Sequence, residues 1–470
     1  MDKIKTGVLL TLSDLYRQRI PAMPAEFAAH WTSVLAPILA EAADPVFTAP
    51  AHSGEELAAR VAECEAAGCD LLLLLPMAYA SSGAAREALA DSRTPLLLVS
   101  TARDFSLPVE MAGEHLIANQ GVHGIQDAAN ALWRAGRRFH LIAGHPGHPG
   151  FRDRILRILR AAAGAAVLRR GRIGRLGEPF EGMLDFTFDA ANQRDALGFS
   201  IAPIEPADLE RRAKAVAAER VAQTLEWAAT TFDVDAELTG EELEINARWS
   251  LALEDLAEAE RLDGLAMCFL ALARAGARTM PFLGASRLMA RGVGYAGEGD
   301  ALTAALAAAL ARMAGQATFT EMFCADYASG EILLSHMGEC NFALAHPGRR
   351  VRLMAREFAW GRTARLAVPV FQLRPGEATL VCLGETPPEA QGGAKSFRLL
   401  AVRGEIAEAP EHPNLRNPYS RIRFGGDLDR FLERYSRAGG GHHLALAYGD
   451  LFEEIEAMAD FCQIRFEALS

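Results

Sequence analysis

Five leucines in a row followed by a proline, Leu71–Pro76, constrain this chain more than any other segment. A run with no polar position has no face to offer to water, so it suits a strand covered on both sides. It is far too short to cross a bilayer, which takes about 20 apolar residues. Further apolar runs stand at 7–12, 95–100 and 139–143, with a weaker one near Val46. Helical patterns lie between them. Phe27, Trp31, Val34, Leu35, Ile38 and Leu39 recur at helical spacing, and Ile125, Ala129, Leu132 and Trp133 read as one face of a helix beginning near Val122. Strand–helix alternation over residues 1–170 predicts a parallel, doubly wound sheet. Ligands of such sheets gather at loops beyond the strand C-termini, here Gly144-His145-Pro146-Gly147-His148-Pro149-Gly150.

The basic stretch 169–175 reads as a linker. Beyond it, strand patterns at 183–188, 198–204 and 265–269 mix with long helices at 206–230 and 241–260 and an Ala/Leu-rich helix at 300–313. After residue 316 the texture changes to closely spaced strand patterns at 332–337, 350–355, 363–373, 378–383 and 397–404. Polar and apolar residues alternate in several of these, which predicts a barrel or sandwich. A last amphipathic helix spans about 451–462.

With 470 residues, half of them hydrophobic, the chain has material for several cores. A formal charge of −12 repels phosphate backbones and argues against a nucleic-acid partner. Seven scattered cysteines without a CxxC fit a reducing compartment better than a disulfide framework or a thiolate zinc site. No secretory leader pattern opens the sequence. The expectation is a soluble cytoplasmic protein.

Four segments carry chemistry. In Gly294-Tyr295-Ala296-Gly297-Glu298-Gly299-Asp300 a carboxylate stands between glycines, ahead of an Asp suited to cap a helix. Glu298 is either a site group or an acid favoured by the helix N-terminus. In Phe319-Thr320-Glu321-Met322-Phe323 a lone Glu interrupts an apolar strand; it faces either solvent or a cation. His336 ends the apolar run of Leu333-Leu334-Ser335-His336, as a core histidine or a ligand. In Gly439-Gly440-Gly441-His442-His443-Leu444 two imidazoles follow three glycines. Alternation along a strand would let only one of the two bind a given ion. Two carboxylates and two imidazoles form a mixed O/N set suited to Mn²⁺, with Co²⁺ or Mg²⁺ as substitutes, and leave positions open for substrate oxygens. His145 and His148 have ligand-like spacing but no nearby acid and read as a turn. Asn119-Gln120-Gly121-Val122-His123-Gly124 offers an amide and an imidazole to a polyol, or a capped helix start. No GxGxxG follows the first strand, and no phosphate-cradling loop or GxSxG elbow is present.

These segments, in this order, resemble the L-arabinose isomerase family within the wider arabinose/fucose isomerase group, and the resemblance extends over nearly the whole chain. It implies an α/β fold: two Rossmann-like α/β domains with parallel sheets, 1–170 and 171–315, followed by a C-terminal antiparallel β-barrel-like domain, 316–470. It implies Mn²⁺ held by Glu298, Glu321, His336 and His443, with Glu298 and Glu321 as the acid/base pair of an aldose–ketose isomerase. Gln120, His123, Met183 and His442 would approach the sugar, partly from a neighbouring subunit, so a homotrimer or homohexamer is implied, with no nucleic-acid or membrane partner. Chemistry would run through a cis-enediol or a hydride shift. Ser13 stands where the family has a glutamine. With Arg17 and Arg19 nearby, this leaves two alternatives: a metal-dependent epimerase or lyase acting on a modified or acidic sugar, or a non-catalytic sugar-binding protein on the same fold.

Overall fold

A computed structural model describes residues 3–361, 363–387 and 396–469. The first apolar runs form β1 (Ile4–Thr11), β2 (Ala43–Phe47), β3 (Leu71–Pro76), β4 (Leu96–Ser100) and β5 (His140–Ala143). They make one parallel sheet in the order β2-β1-β3-β4-β5. Every residue of β3 and β4 is buried, as the unbroken apolar runs require. These strands belong to one of two compact units, composed of Met1–Ala166 and Glu456–Gln463. The late segment matters to this unit: His140 of β5 is buried, with its Nδ1 3.1 Å from Asp460 Oδ2. The helix Gly121–Arg134 buries Gly124, Ile125, Ala128 and Leu132. Trp133, expected on that face, is 73% exposed. It stands eight residues from Ile125, which at 100° per residue turns it some 80° off the buried stripe.

The second unit comprises Val167–Ile455 and Ile464–Ser470. Its strands are β6 (Arg172–Leu176), β7 (Ser200–Ile204), the two-residue β8 (Asp233–Val234), β9 (Gly264–Met267), β10 (Gly294–Gly297), β11 (Thr318–Asp326), β12 (Glu331–Ser335), β13 (Arg352–Arg356), β14 (Leu366–Val370), β15 (Gly376–Glu385), β16 (Phe397–Ala407), β17 (Tyr419–Phe424), β18 (His443–Tyr448) and β19 (Arg465–Leu469). A parallel sheet runs β10-β9-β6-β7. An antiparallel ring runs β15-β18-β11-β12-β17-β16 and closes by pairing β16 with β15, giving a six-stranded barrel to which β19 adds in parallel along β16. β13 and β14 stand apart from the barrel, in a small sheet with β8. The fold class is thus the expected one: parallel Rossmann-like sheets and a closed antiparallel barrel.

Three local expectations are corrected. The basic stretch 169–175 is not a linker but the end of the helix Pro149–Arg170 and all but the last residue of β6. Arg172 is tied there through its main-chain N–H to Asp263 and through its guanidinium to Glu260. The helix expected over 206–230 is two, Pro206–Ala215 and Ala218–Thr231, because Val216 and Ala217 are extended. Val216 is buried, and its carbonyl accepts from Arg248 in place of a helical N–H. The segment 183–188 is an irregular loop rather than a strand. Gly182 before it is left-handed at φ 93°, and Thr187 Oγ1 turns back to donate to the Leu184 carbonyl. No helix among the described residues is long and apolar enough to cross a membrane.

Candidate metal centre

At the end of β10 the chain takes two left-handed steps, Glu298 at φ 58° and Gly299 at φ 79°. For a residue with a Cβ such backbone costs about 1–3 kcal/mol and persists only where the surroundings impose it. The flanking glycines are steric necessities. A Cβ on Gly297 would meet His336 Cε1 at 2.8 Å, and one on Gly299 would meet Pro179 Cα at 2.8 Å. Asp300 then caps the helix Ala301–Ala314, its Oδ1 accepting from Thr303 N at 2.9 Å. The turn aims the Glu298 side chain at the barrel.

Strand register supplies the rest. Glu321 of β11 lies opposite His443 of β18 on one side and Ser335 of β12 on the other. Directly opposed residues bring their Cβ atoms to about 4.5–5.5 Å, so Glu321 and His443 meet, and His336 follows Ser335 just past the strand end. His443 Nε2 lies 3.2 Å from Glu321 Oε1 and 3.3 Å from Glu298 Oε2. His336 Nε2 lies 3.3 Å from Glu321 Oε1. His442 Nε2 is 3.8 Å from Glu321 and 3.9 Å from Glu298. Strand alternation was expected to send the two adjacent imidazoles to opposite faces. It does not, because His442 lies in a bend before β18 begins, and the ring centres are 4.2 Å apart. One donor atom from each of Glu298, Glu321, His442 and His443 falls within 4.8 Å of every other.

All three imidazoles are held from behind by carboxylates. His443 Nδ1 is 2.9 Å from Asp300 Oδ2, His336 Nδ1 is 2.8 Å from Glu339 Oε2, and His442 Nδ1 is 2.6 Å from Asp185 Oδ2. Tyr295, fully buried, donates to the other oxygen of Glu339 at 3.1 Å. Carboxylate on Nδ1 and a free Nε2 is how proteins orient imidazole toward a metal. Phe186 stacks on His443 with centroids 4.9 Å apart, and Phe319 meets the rings of His336 and His443 edge-on.

The electrostatics match. Burial works to raise the Glu298 carboxyl, but contacts from His442 and His443 outweigh it and hold it at about 2. Glu321 is held well below the usual carboxylate range by the same opposition, against His336 and His443. Burial works to lower His336, yet Glu339 and Glu321 bring it up to about 9; Asp185 and Glu298 raise His442 to about 9. His443 also rises, as Asp300 and both glutamates overcome its burial. Ion-free, the site is therefore a set of carboxylates neutralised by imidazolium. Glu298 Oε2 and His443 Nε2 are buried without a hydrogen-bond partner. The two atoms face each other at 3.3 Å, and a shared divalent ion would satisfy both. The donor set fits a hard or borderline cation.

The other expected site residues are placed as follows. Met183 lies in the loop carrying Asp185 and Phe186; the loop is tied to the site where Phe180 N donates to the Glu298 carbonyl at 2.9 Å. Gln120 and His123 belong to the first unit. Gln120 precedes the helix Gly121–Arg134 and accepts from the Tyr16 hydroxyl at 2.8 Å, and His123 packs on the Tyr79 ring. His145 and His148 accept from the main chain of Gly147 and Gly150, closing turns. The Arg17 guanidinium is engaged by Asp14 and Glu56. Sequence reasoning missed Asp185, Phe186, Glu339 and the second role of Asp300. Glu339 had a signal, three residues after His336; Asp185 had none.

Residues 188–316 match the family described as L-arabinose isomerase central domain, and residues 316–465 match the L-arabinose isomerase C-terminal domain. Among curated relatives, the L-arabinose isomerase of Nocardioides sp. is 29% identical over 382 residues, 78% of this chain and 74% of that protein. Those of Saccharophagus degradans and Herpetosiphon aurantiacus are 24% and 29% identical, each over 59% of this chain. The chain spans 55% of the length of each of these last two.

Proposed function

Because the chain belongs to the L-arabinose isomerase family of aldose–ketose isomerases, we propose that it interconverts an aldose and its ketose at a divalent-ion centre built on Glu298 and Glu321. The observation that carries this reading is the meeting of two carboxylates with Nε2 atoms whose imidazoles are anchored by carboxylates at Nδ1. Glu298, Glu321, His336 and His443 are the ligands, and Mn²⁺ is the ion, with Co²⁺ or Mg²⁺ as substitutes. When bound, the ion supplies Lewis-acid polarisation of the sugar oxygens and offsets the repulsion between the glutamates. One of the two glutamates takes the proton from C2 and returns it to C1, through a cis-enediol. The other moves a proton between the hydroxyl and carbonyl oxygens. Both are ionised at neutral pH, as a base needs. Met183 and His442 approach the sugar from beside the centre.

The same reading makes the working form a cytoplasmic homotrimer or homohexamer, in which Gln120 and His123 face the sugar at a neighbouring copy's centre, with no nucleic acid or membrane involved. Sedimentation of the active species tests this, and active monomers would overturn it. The activity is tested by screening aldopentoses, aldohexoses and sugar acids for ketose formation, with EDTA-stripped protein and added Mn²⁺. Ketose is expected only with the ion, and Glu321→Gln is expected to lower turnover by about 100-fold or more. Wild-type turnover by that variant would end the assignment.

A further inference from the structure

His442 differs from the other two imidazoles. His336 and His443 are each 2% exposed at the side chain, while His442 is 40% exposed and precedes its strand in a bend. Its ring lies beside those of His443 and Phe186, with centroids 4.2 and 5.9 Å away. One carboxylate, Asp185, takes both of its nearer N–H groups: Oδ2 accepts from the main-chain N at 2.9 Å and lies 2.6 Å from ring Nδ1. Gly441 permits the approach, since a Cβ there would stand 3.3 Å from Asp185 Oδ2. The result is that Nε2 points at Glu298 and Glu321 together.

His442 Nε2 faces both glutamates, at 3.8 and 3.9 Å, as His443 Nε2 does at 3.2 and 3.3 Å, and one donor atom from each of these four residues falls within 4.8 Å of every other. Among the described residues His336 Nε2 makes such a contact with Glu321 only. Resting on the metal-centre reading above, we propose that His442 is a donor to the ion in the sugar-free protein and that Asp185 is the positioning residue that presents it. Metal affinity thus depends on a side chain carried by the loop between β6 and the helix Ala190–Ala196, the loop that also carries Met183. Ion binding and the approach of the sugar are then coupled through one segment.

The test is the Kd for Mn²⁺ alone, read from the electron paramagnetic resonance of free Mn²⁺, on the full chain without sugar. Wild type, Asp185→Asn, His442→Gln, the double variant and His443→Gln are compared. Loss of an outer-shell partner costs about 10–100-fold in metal affinity, so Asp185→Asn should weaken binding at least about 10-fold. Acting only through His442, it should add less than about twofold to His442→Gln. Asp185 is 38% exposed at the side chain, so its substitution leaves the core intact. Should the Asn variant lose its circular dichroism, His442→Gln alone decides, and unchanged affinity there overturns the proposal. Asp185→Asn binding within threefold of wild type overturns it as well, as does an equal loss in the His442→Gln background. If His443→Gln binds as tightly as wild type, the centre itself is misread and both readings fall. A flat result confined to Asp185 and His442 leaves the centre standing.

Discussion

Asp300→Asn separates the two tasks of one buried side chain. Asp300 is fully buried; Oδ1 caps the helix Ala301–Ala314 through Thr303 N at 2.9 Å, and Oδ2 meets His443 Nδ1 at 2.9 Å. Asparagine offers one acceptor in place of two, so one bond must change. The Thr303 N–H cannot become an acceptor, whereas an imidazole can: moving its proton to Nε2 lets Nδ1 accept from the new amide. The cap therefore persists and His443 turns a protonated Nε2 toward the glutamates, where it no longer donates a lone pair. The expected loss of Mn²⁺ affinity is about 10–100-fold, or about 1.4–2.7 kcal/mol, with little change in Tm. Asp300→Ala removes both bonds and should add a stability loss of about 1–2 kcal/mol from the missing cap. Mn²⁺ titration with calorimetric melting of the ion-free variants reads both quantities. Asp300→Asn with wild-type affinity, or with a melting loss equal to that of Asp300→Ala, would refute the reasoning.

Four further outcomes follow from the same geometry. His336 and His442, held at about 9 against an ordinary 6.5, are cationic in the ion-free protein at neutral pH, so Mn²⁺ must displace protons. His443 is raised as well, so titration calorimetry in buffers of different ionisation enthalpy should show about two protons released per ion at pH 7.5 from His336 and His443, and about three where His442 also donates; no release would contradict the assigned charges. The sign for stability is fixed by linkage: raised imidazole values stabilise the ion-free protein fully below about 6.5, and that contribution is lost as pH rises through about 9, so ion-free Tm should fall over this window. Gly299→Ala forces a Cβ onto a φ of 79° and to within 2.8 Å of the Pro179 backbone. It should cost about 1–3 kcal/mol and weaken Mn²⁺ binding, and an unchanged melting curve would count against the turn's role. Tyr295→Phe leaves an oxygen of buried Glu339 without its donor and should cost about 1–3 kcal/mol, seen as a lower Tm at wild-type secondary structure content.

What was legible in the sequence were the features that repeat locally. Leu71–Pro76 read as a covered strand and is one, and the closely spaced runs after residue 316 read as a barrel or sandwich and mostly form the barrel, with β13 and β14 in the small sheet apart from it. Ring closure by β15 and β16 was not legible, since pairing partners are set by tertiary packing. The residues of the centre were visible as oddities, a carboxylate between glycines and two imidazoles after glycines, and the family resemblance joined them. Their supports were hidden. Asp185 lies in a stretch whose alternation imitates a strand, and only the folded chain shows Phe186 stacked on His443 and Asp185 under His442. Asp300 was read as a cap, which it is, but its second oxygen has no sequence signature. Val216 and Ala217 broke an expected helix because a distant arginine satisfies the Val216 carbonyl.

The composition of the first unit has a consequence for synthesis. Its sheet is translated early, but the segment Glu456–Gln463 that lies on His140 leaves the ribosome only after Val167–Ile455. At about 5–20 residues per second the delay is on the order of 15–60 s. For that interval the nascent N-terminal layer lacks a piece of its own wall, and His140 of β5 is without its Asp460 partner.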